Sequence, residues 1–218
     1  MNPQKIHPVD TPAWMDLAWH EYLLWNENAW TVNHPEGRKR AQEYINLTGE
    51  HFTPHAAGWC GCFVHWVLKK TNQLYGTAFS TVTDNPSGSQ NYATRKRYPG
   101  SIRIRPRLGN APYGSLVVLQ YSQWQGHVGF LVNCRKVEGK RFACLLGGNQ
   151  NEKVCVQEFL DYRQGGKIFY QTRKGKIFTL KGFVFPKQYD RRILGKNAFE
   201  YCTEGYSIEE PIEELSQK

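Results

Sequence analysis

A thiol, an imidazole and a carboxamide would together suffice to break an amide bond, and this chain offers one plausible set. Cys60 opens the apolar stretch Gly58-Trp59-Cys60-Gly61-Cys62-Phe63-Val64-His65-Trp66-Val67-Leu68. In it Trp59, Cys62, Phe63, Trp66 and Val67 recur at i, i+3, i+4, i+7 and i+8, the spacing of one helix face. Cys60 lies off that stripe, in the first turn, where unpaired backbone N–H groups and the helix dipole favour thiolate over thiol. Thiolate is the nucleophilic form, so a depressed Cys60 pKa is expected, while Cys62 on the buried stripe is expected to be inert. The competing reading makes both cysteines small core hydrophobes. A cysteine nucleophile needs an imidazole to take its proton and a third group to fix the tautomer. His127, between Gly126 and Gly129 at the start of an apolar run, is the natural base. It reads equally as a buried strand histidine with a backbone partner. Asn149 follows two glycines and has an oxygen that can accept from the ring, although asparagine there is also ordinary turn chemistry.

The elements that must position these residues follow from periodicity. Trp14, Leu17, Ala18, Tyr22 and Trp25 predict a helix over 12–25, with Thr11 as its cap and Pro12 at its first position. A second helix is expected over 37–48, stopped by Gly49, and the cysteine helix is the third. Residues 72–112 form a basic excursion holding Arg95, Lys96, Arg97, Arg103, Arg105 and Arg107, with a short helix near 90–96. It reads either as a groove wall or polyanion contact, or as a solvated loop. Strands are expected at 116–121, 126–132, 142–146, 154–159 and 180–185. Gly-Lys-Ile-Phe occurs at 166–169 and again at 175–178, which predicts the two strands of one hairpin. Helices followed by a mostly antiparallel sheet make an α+β protein. Residues 1–187 then form one domain, and 188–218 a tail or docked arm ending in Glu209, Glu210, Glu213 and Glu214.

With 218 residues the chain is long enough for one buried core. A net charge of +9 directs attention to an anionic partner: nucleic acid, a membrane surface or an acidic polymer such as cell wall. The basic arginines lie in one loop with Pro99 and Pro106 and no nucleic-acid motif accompanies them, so nucleic acid is not the expected partner. No secretory leader and no apolar run of ~18 residues is evident, so synthesis in the bacterial cytoplasm without a membrane span is expected. Six cysteines show no CxxC spacing. Cys134 and Cys144 are equidistant from Gly139 and are expected to face each other across a hairpin, reduced or bridged according to compartment. His51, His55, Cys60 and Cys62 are too irregularly spaced, around Pro54, for a zinc site, so no metal or cofactor is expected.

Four blocks stand in order: Trp59-Cys60-x-x-Phe63-Val64, Gly114-Ser115-Leu116-Val117-Val118, Gly126-His127-Val128-Gly129-Phe130 and Gly147-Gly148-Asn149-Gln150. The set resembles the papain-like cell-wall hydrolases of the CHAP and NlpC type, over roughly residues 11–187. The opening Pro12-Ala13-Trp14-Met15 and the closing Gly182-Phe183-Val184-Phe185-Pro186 resemble the ends of a compact branch of that group. The resemblance implies a papain-like fold, with the nucleophile at a helix start packed on the sheet. It implies a cysteine amidase or endopeptidase acting on peptidoglycan stem peptides, with Cys60 as nucleophile, His127 as base and Asn149 as the polar third residue. Trp59, Trp124 and Gln150 are the expected substrate contacts. Two positions depart from the pattern: Gly147 stands where a glutamate is usual, which makes Gln150 the substitute orienter, and Ser115 stands for the usual aspartate. The oxyanion would be held by the Cys60 N–H and an upstream donor, His51 or His55. Such an enzyme would act in the periplasm or cell wall after delivery, as a phage-type lysin or an injected antibacterial effector. An injected toxin implies an inhibitory immunity protein in the producer. The alternative is an inactive module on the same fold that binds cell wall or protein.

Overall fold

In the computed structural model the described residues are 12–104 and 111–186. Three helices come first: α1 (Ala13–Glu27), α2 (Pro35–Asn46) and α3 (Cys60–Tyr75). Pro12 itself occupies the cap position of α1, and the Thr11 cap expected there lies outside the described residues. Pro35 starts α2 with a φ already suited to a helix. Gly76, at φ 64°, ends α3 in the left-handed conformation that glycine adopts at little cost.

Seven strands follow: β1 (Ser101–Ile104), β2 (Leu116–Gln120), β3 (Gly126–Val137), β4 (Lys140–Gln150), β5 (Lys153–Gln164), β6 (Lys167–Thr172) and β7 (Ile177–Pro186). All pairings are antiparallel, in the order β1-β7-β2-β3-β4-β5-β6. Because β6 also pairs with β7, strands β2 to β7 close into a six-stranded barrel. The Gly-Lys-Ile-Phe repeat is the β6–β7 hairpin, with Tyr170 opposite Phe178. Strand alternation then sorts the side chains. Val117, Leu119, Leu131, Leu145, Phe159 and Phe183 fill the barrel. Val118, Val128, Phe130, Leu146 and Val154 face outward onto Trp14, Trp25, Trp59 and Phe63 of the helical layer. Burying a side chain such as Phe63 stabilises by about 1.5–3 kcal/mol, so this second layer holds α3 against β3 and β4.

The α+β class is as expected, and the closure of the sheet into a barrel goes beyond it. Two expectations change. The 72–112 stretch is no single loop: it starts with the last turn of α3, holds a 3-10 helix at Ser89–Ala93 near the expected short helix, and contains β1. Arg105, Arg107 and the 188–218 tail lie outside the described residues. Cys134 and Cys144 do sit in one hairpin, but they do not face each other. Its turn has two central residues, Glu138 at φ 49° and Gly139 at φ 77°, so Val137 pairs with Lys140 and Cys134 with Ala143. That one-residue offset from symmetry about Gly139 turns Cys134 into the barrel and Cys144 toward the helices, and no disulfide joins them.

Candidate active site

The start of α3 is fixed from behind. Trp59 is 0 % exposed, stacked on Trp25 at 5.6 Å and tilted against Tyr44 at 5.8 Å. Trp25 Nε1 donates to Tyr44 Oη at 2.9 Å, Tyr44 donates in turn to the buried Glu21 carboxylate, and Arg40 closes the network on Glu21. Trp59 is therefore a piece of the core, and its expected role as a substrate contact is corrected: no surface of it is left to touch. From the sheet side, Gly148 permits close approach, because a Cβ there would lie 2.5 Å from Trp59 Cζ3 and 2.6 Å from Phe63 Cβ. Gly148, the second glycine before Asn149, is thus a packing requirement of α3 on β4.

Cys60, 5 % exposed, sits at the N-terminus of α3, where the backbone N–H groups of Val128, Gly61 and Cys60 itself act to hold its pKa down. Burial nevertheless outweighs those donors and raises the thiol above its ordinary pKa. The expected depression is thereby corrected: helix-terminal N–H groups soften the cost of desolvation without reversing it. Cys62 is buried too and pushed up to about 12, mainly by burial, as a stripe residue should be.

His127, the second residue of β3, points into the end of the barrel, where its ring stacks on Phe159 at 6.1 Å. His127 Nε2 lies 2.9 Å from Gln150 Oε1. Gln150 has no freedom to present its nitrogen instead, because Nε2 donates to the carbonyls of Leu145, at 3.0 Å, and Cys155. The amide orientation thus dictates the tautomer: Nε2 of the ring carries the proton, and Nδ1 keeps the lone pair that a base requires. Burial lowers the His127 pKa to about 4, the Gln150 bond opposing it and the Lys176 charge adding to it. At neutral pH both the ring and the Cys60 thiol are neutral. The Val128 amide, next in chain to His127, holds the Cys60 sulfur, while no hydrogen bond joins Cys60 to His127 among the described residues.

A bulge explains why Gln150, and not Asn149, meets the histidine. Leu145 and Gly147 face the barrel interior, and strict alternation would put Asn149 there next. Between Gly147↔Cys155 and Gln150↔Lys153, however, β4 spends one residue more than β5, with Asn149 at φ 57°. The extra residue turns Gln150 inward, where it is buried. Asn149 as the orienter of His127 is therefore corrected to Gln150. The Asn149 Nδ2 atom lies instead beside Gly58, 3.3 Å from where a Cβ would be, two residues ahead of Cys60. Gly147 lies against the ring, since a Cβ there would stand 3.2 Å from His127 Nε2, so the larger side chain expected at this slot would crowd the imidazole.

Trp124 is 84 % exposed in the β2–β3 loop, three residues before His127. Gln90 braces that loop by donating to the carbonyls of Ser122, Gln123 and Gln125. His51 and His55 are exposed and make no hydrogen bond among the described residues, so nothing ties either to the sulfur. Among the described residues no three His, Cys, Asp or Glu side chains group as metal ligands, and no helix is long and apolar enough to cross a membrane. Sequence reasoning missed Lys176, whose place beside the site depends on barrel closure. No family model, curated protein or solved structure matches the chain.

Proposed function

We propose that the chain is a papain-like cysteine hydrolase that cleaves an amide of the peptidoglycan stem peptide. The observation that favours the reading is an imidazole held in a single tautomer by Gln150, one residue before Val128, whose backbone N–H bears on the sulfur of a cysteine at a helix N-terminus. A nucleophile, a base and an orienter are the parts that acyl transfer needs. Thiol and imidazole are both neutral at rest and lie on opposite sides of β3, so turnover requires His127 Nδ1 to reach the sulfur and take the Cys60 proton as sulfur attacks the carbonyl carbon. The oxyanion forms at the Cys60 N–H, with the Asn149 amide as the second donor. Collapse expels the amine, which takes the proton from His127, and leaves a thioester on Cys60. Water, deprotonated by the same Nδ1, then releases the acid and restores the thiol. The net charge of +9 favours an acidic polymer such as cell wall. Delivery to periplasm or wall, as a lysin or an injected effector with an immunity protein, belongs to the same reading.

The nearly closed Cys60 favours a second reading, a module on this fold that binds wall or protein without turnover. Mass spectrometry of muropeptides after digestion of purified sacculi decides between them. New free amines are expected and would locate the bond, whereas unchanged sacculi that still retain the protein would select the binding module.

A further inference from the structure

Cys60 is 5 % exposed, so its sulfur becomes available to a substrate only when a covering element moves. The stretch 85–93, ending in the 3-10 helix, lies across the first turn of α3. At Gly61, the residue after Cys60, a Cβ would stand 2.4 Å from the Ser87 carbonyl oxygen and 2.6 Å from that of Pro86. At Gly126, the residue before His127, a Cβ would stand 3.0 Å from Ser89 Oγ and 3.2 Å from Gln90 Cγ. The stretch therefore rests on the starts of both α3 and β3. Its inner end is anchored, because Tyr92 is fully buried, donates to the Gly61 carbonyl at 2.8 Å and lies near enough to both thiols for their charge to oppose its ionisation. The outer end is tied more lightly. Ser87 Oγ lies 2.9 Å from Glu50 Oε1 and 2.7 Å from Asn85 Oδ1, yet a hydroxyl has one proton to give. When Ser87 leaves Glu50 it keeps a partner in Asn85, so parting costs little. Gln90 Nε2 shares its protons among the carbonyls of Ser122, Gln123 and Gln125 at 3.2–3.3 Å, the long end of the hydrogen-bond range. Within the stretch, Asn91 Nδ2 donates to the Asn85 carbonyl at 2.6 Å and the Gly88 N–H to Asn85 Oδ1 at 3.0 Å, which keeps 85–91 in one piece.

We propose that residues 85–90 form a strap that hinges on Tyr92 and gates the Cys60 sulfur, closed in this structure and latched by Ser87 on Glu50. The inference rests on the hydrolase reading and deepens it by naming what controls access to the nucleophile. Glycine at 61 is what lets the strap close, since a side chain there meets two of its carbonyl oxygens. Within a helix alanine is otherwise favoured over glycine, so α3 gives up some helix stability for that contact. Opening lifts Pro86 and Ser87 off the first turn and Ser89 off Gly126 together, because the strap moves as one piece.

The rate at which iodoacetamide alkylates Cys60 in the full chain, read by peptide mass spectrometry, tests the strap without any substrate. Wild-type protein is expected to react far more slowly than the same chain in denaturant. Ser87→Ala and Glu50→Ala should each react about fivefold faster, the shift that loss of one hydrogen bond brings to an opening equilibrium. Glu50→Gln, which keeps the acceptor, should match wild type. Gly61→Ala should also react faster, with helix content by circular dichroism undiminished, since its methyl wedges the strap off. Cys62, on the buried stripe, should keep its wild-type rate throughout. Ser87→Ala and Gly61→Ala proteins that react at the wild-type rate, a wild type as fast as the denatured chain, or a parallel rise at Cys62 each overturn the strap. Muropeptide release separates the two readings. Gated labelling in a protein that leaves sacculi unchanged keeps the strap and removes the hydrolase, and turnover with ungated labelling does the reverse.

Discussion

Gln150→Ala strikes the side chain that both holds the His127 ring, the proposed base, and ties the β4 bulge. The substitution removes the acceptor for His127 Nε2–H and the donor to the carbonyls of Leu145 and Cys155, three contacts in a buried place. At about 1 kcal/mol net per hydrogen bond the fold should lose about 3 kcal/mol. For a chain of this size that lowers Tm by ~6–12 °C. Catalysis should fall separately, because the ring is no longer confined to the tautomer with Nδ1 free. A charged orienter is worth ~10⁴ in a serine protease, and a neutral amide cannot stabilise the imidazolium, so a loss on the order of 10² is expected. Muropeptide turnover should be followed well below the melting range, with unfolding recorded by circular dichroism. Asn149→Ala is the control: its side chain does not hold the ring, so kcat should drop through loss of an oxyanion donor while Tm stays nearly constant. A Gln150→Ala protein with wild-type Tm and turnover would refute the assignment of the orienter.

Gly148→Ala should destabilise by about 1–3 kcal/mol in urea titration, because the added methyl meets Trp59 and Phe63 at under 3 Å and α3 must move off β4. Two buried histidines, His65 and His127, are each lowered to about 4, chiefly by burial, from an ordinary value of 6.5. A folded pKa below the unfolded one gives stability that is complete above pH 6.5 and lost as the pH falls toward 4, on the order of 3 kcal/mol for each ring. Urea midpoints should therefore fall steeply across that window, and less steeply in His65→Gln. Trp124→Ala should change stability by under ~0.5 kcal/mol, since the side chain is in solvent, and should weaken sedimentation with sacculi.

What could be read from the chain, and what could not, divides along local and non-local physics. The cysteine helix, the Gly-Lys-Ile-Phe hairpin and the histidine at a strand start all follow from periodicity and turn residues within a few positions. The exchange of Asn149 for Gln150 does not, because one bulged residue reverses which side chain faces inward. Register in the β3–β4 hairpin lies one residue from symmetry about Gly139 for a similar reason, because its turn has two central residues. Strand β1 is four residues long and gains its hydrogen bonds from β7, some eighty positions away, so its own sequence carries little signal. The Cys60 pKa depends on how deeply α3 is covered, which no local pattern records.

The most direct test of the central claim is amine release from soluble muropeptides by wild-type protein and by Cys60→Ala, read by mass spectrometry. Wild-type protein should give new amine-terminated fragments. The folded Cys60→Ala variant should give none, with Cys62→Ala still active. Release that persists in Cys60→Ala, or is absent from wild type, would contradict the account.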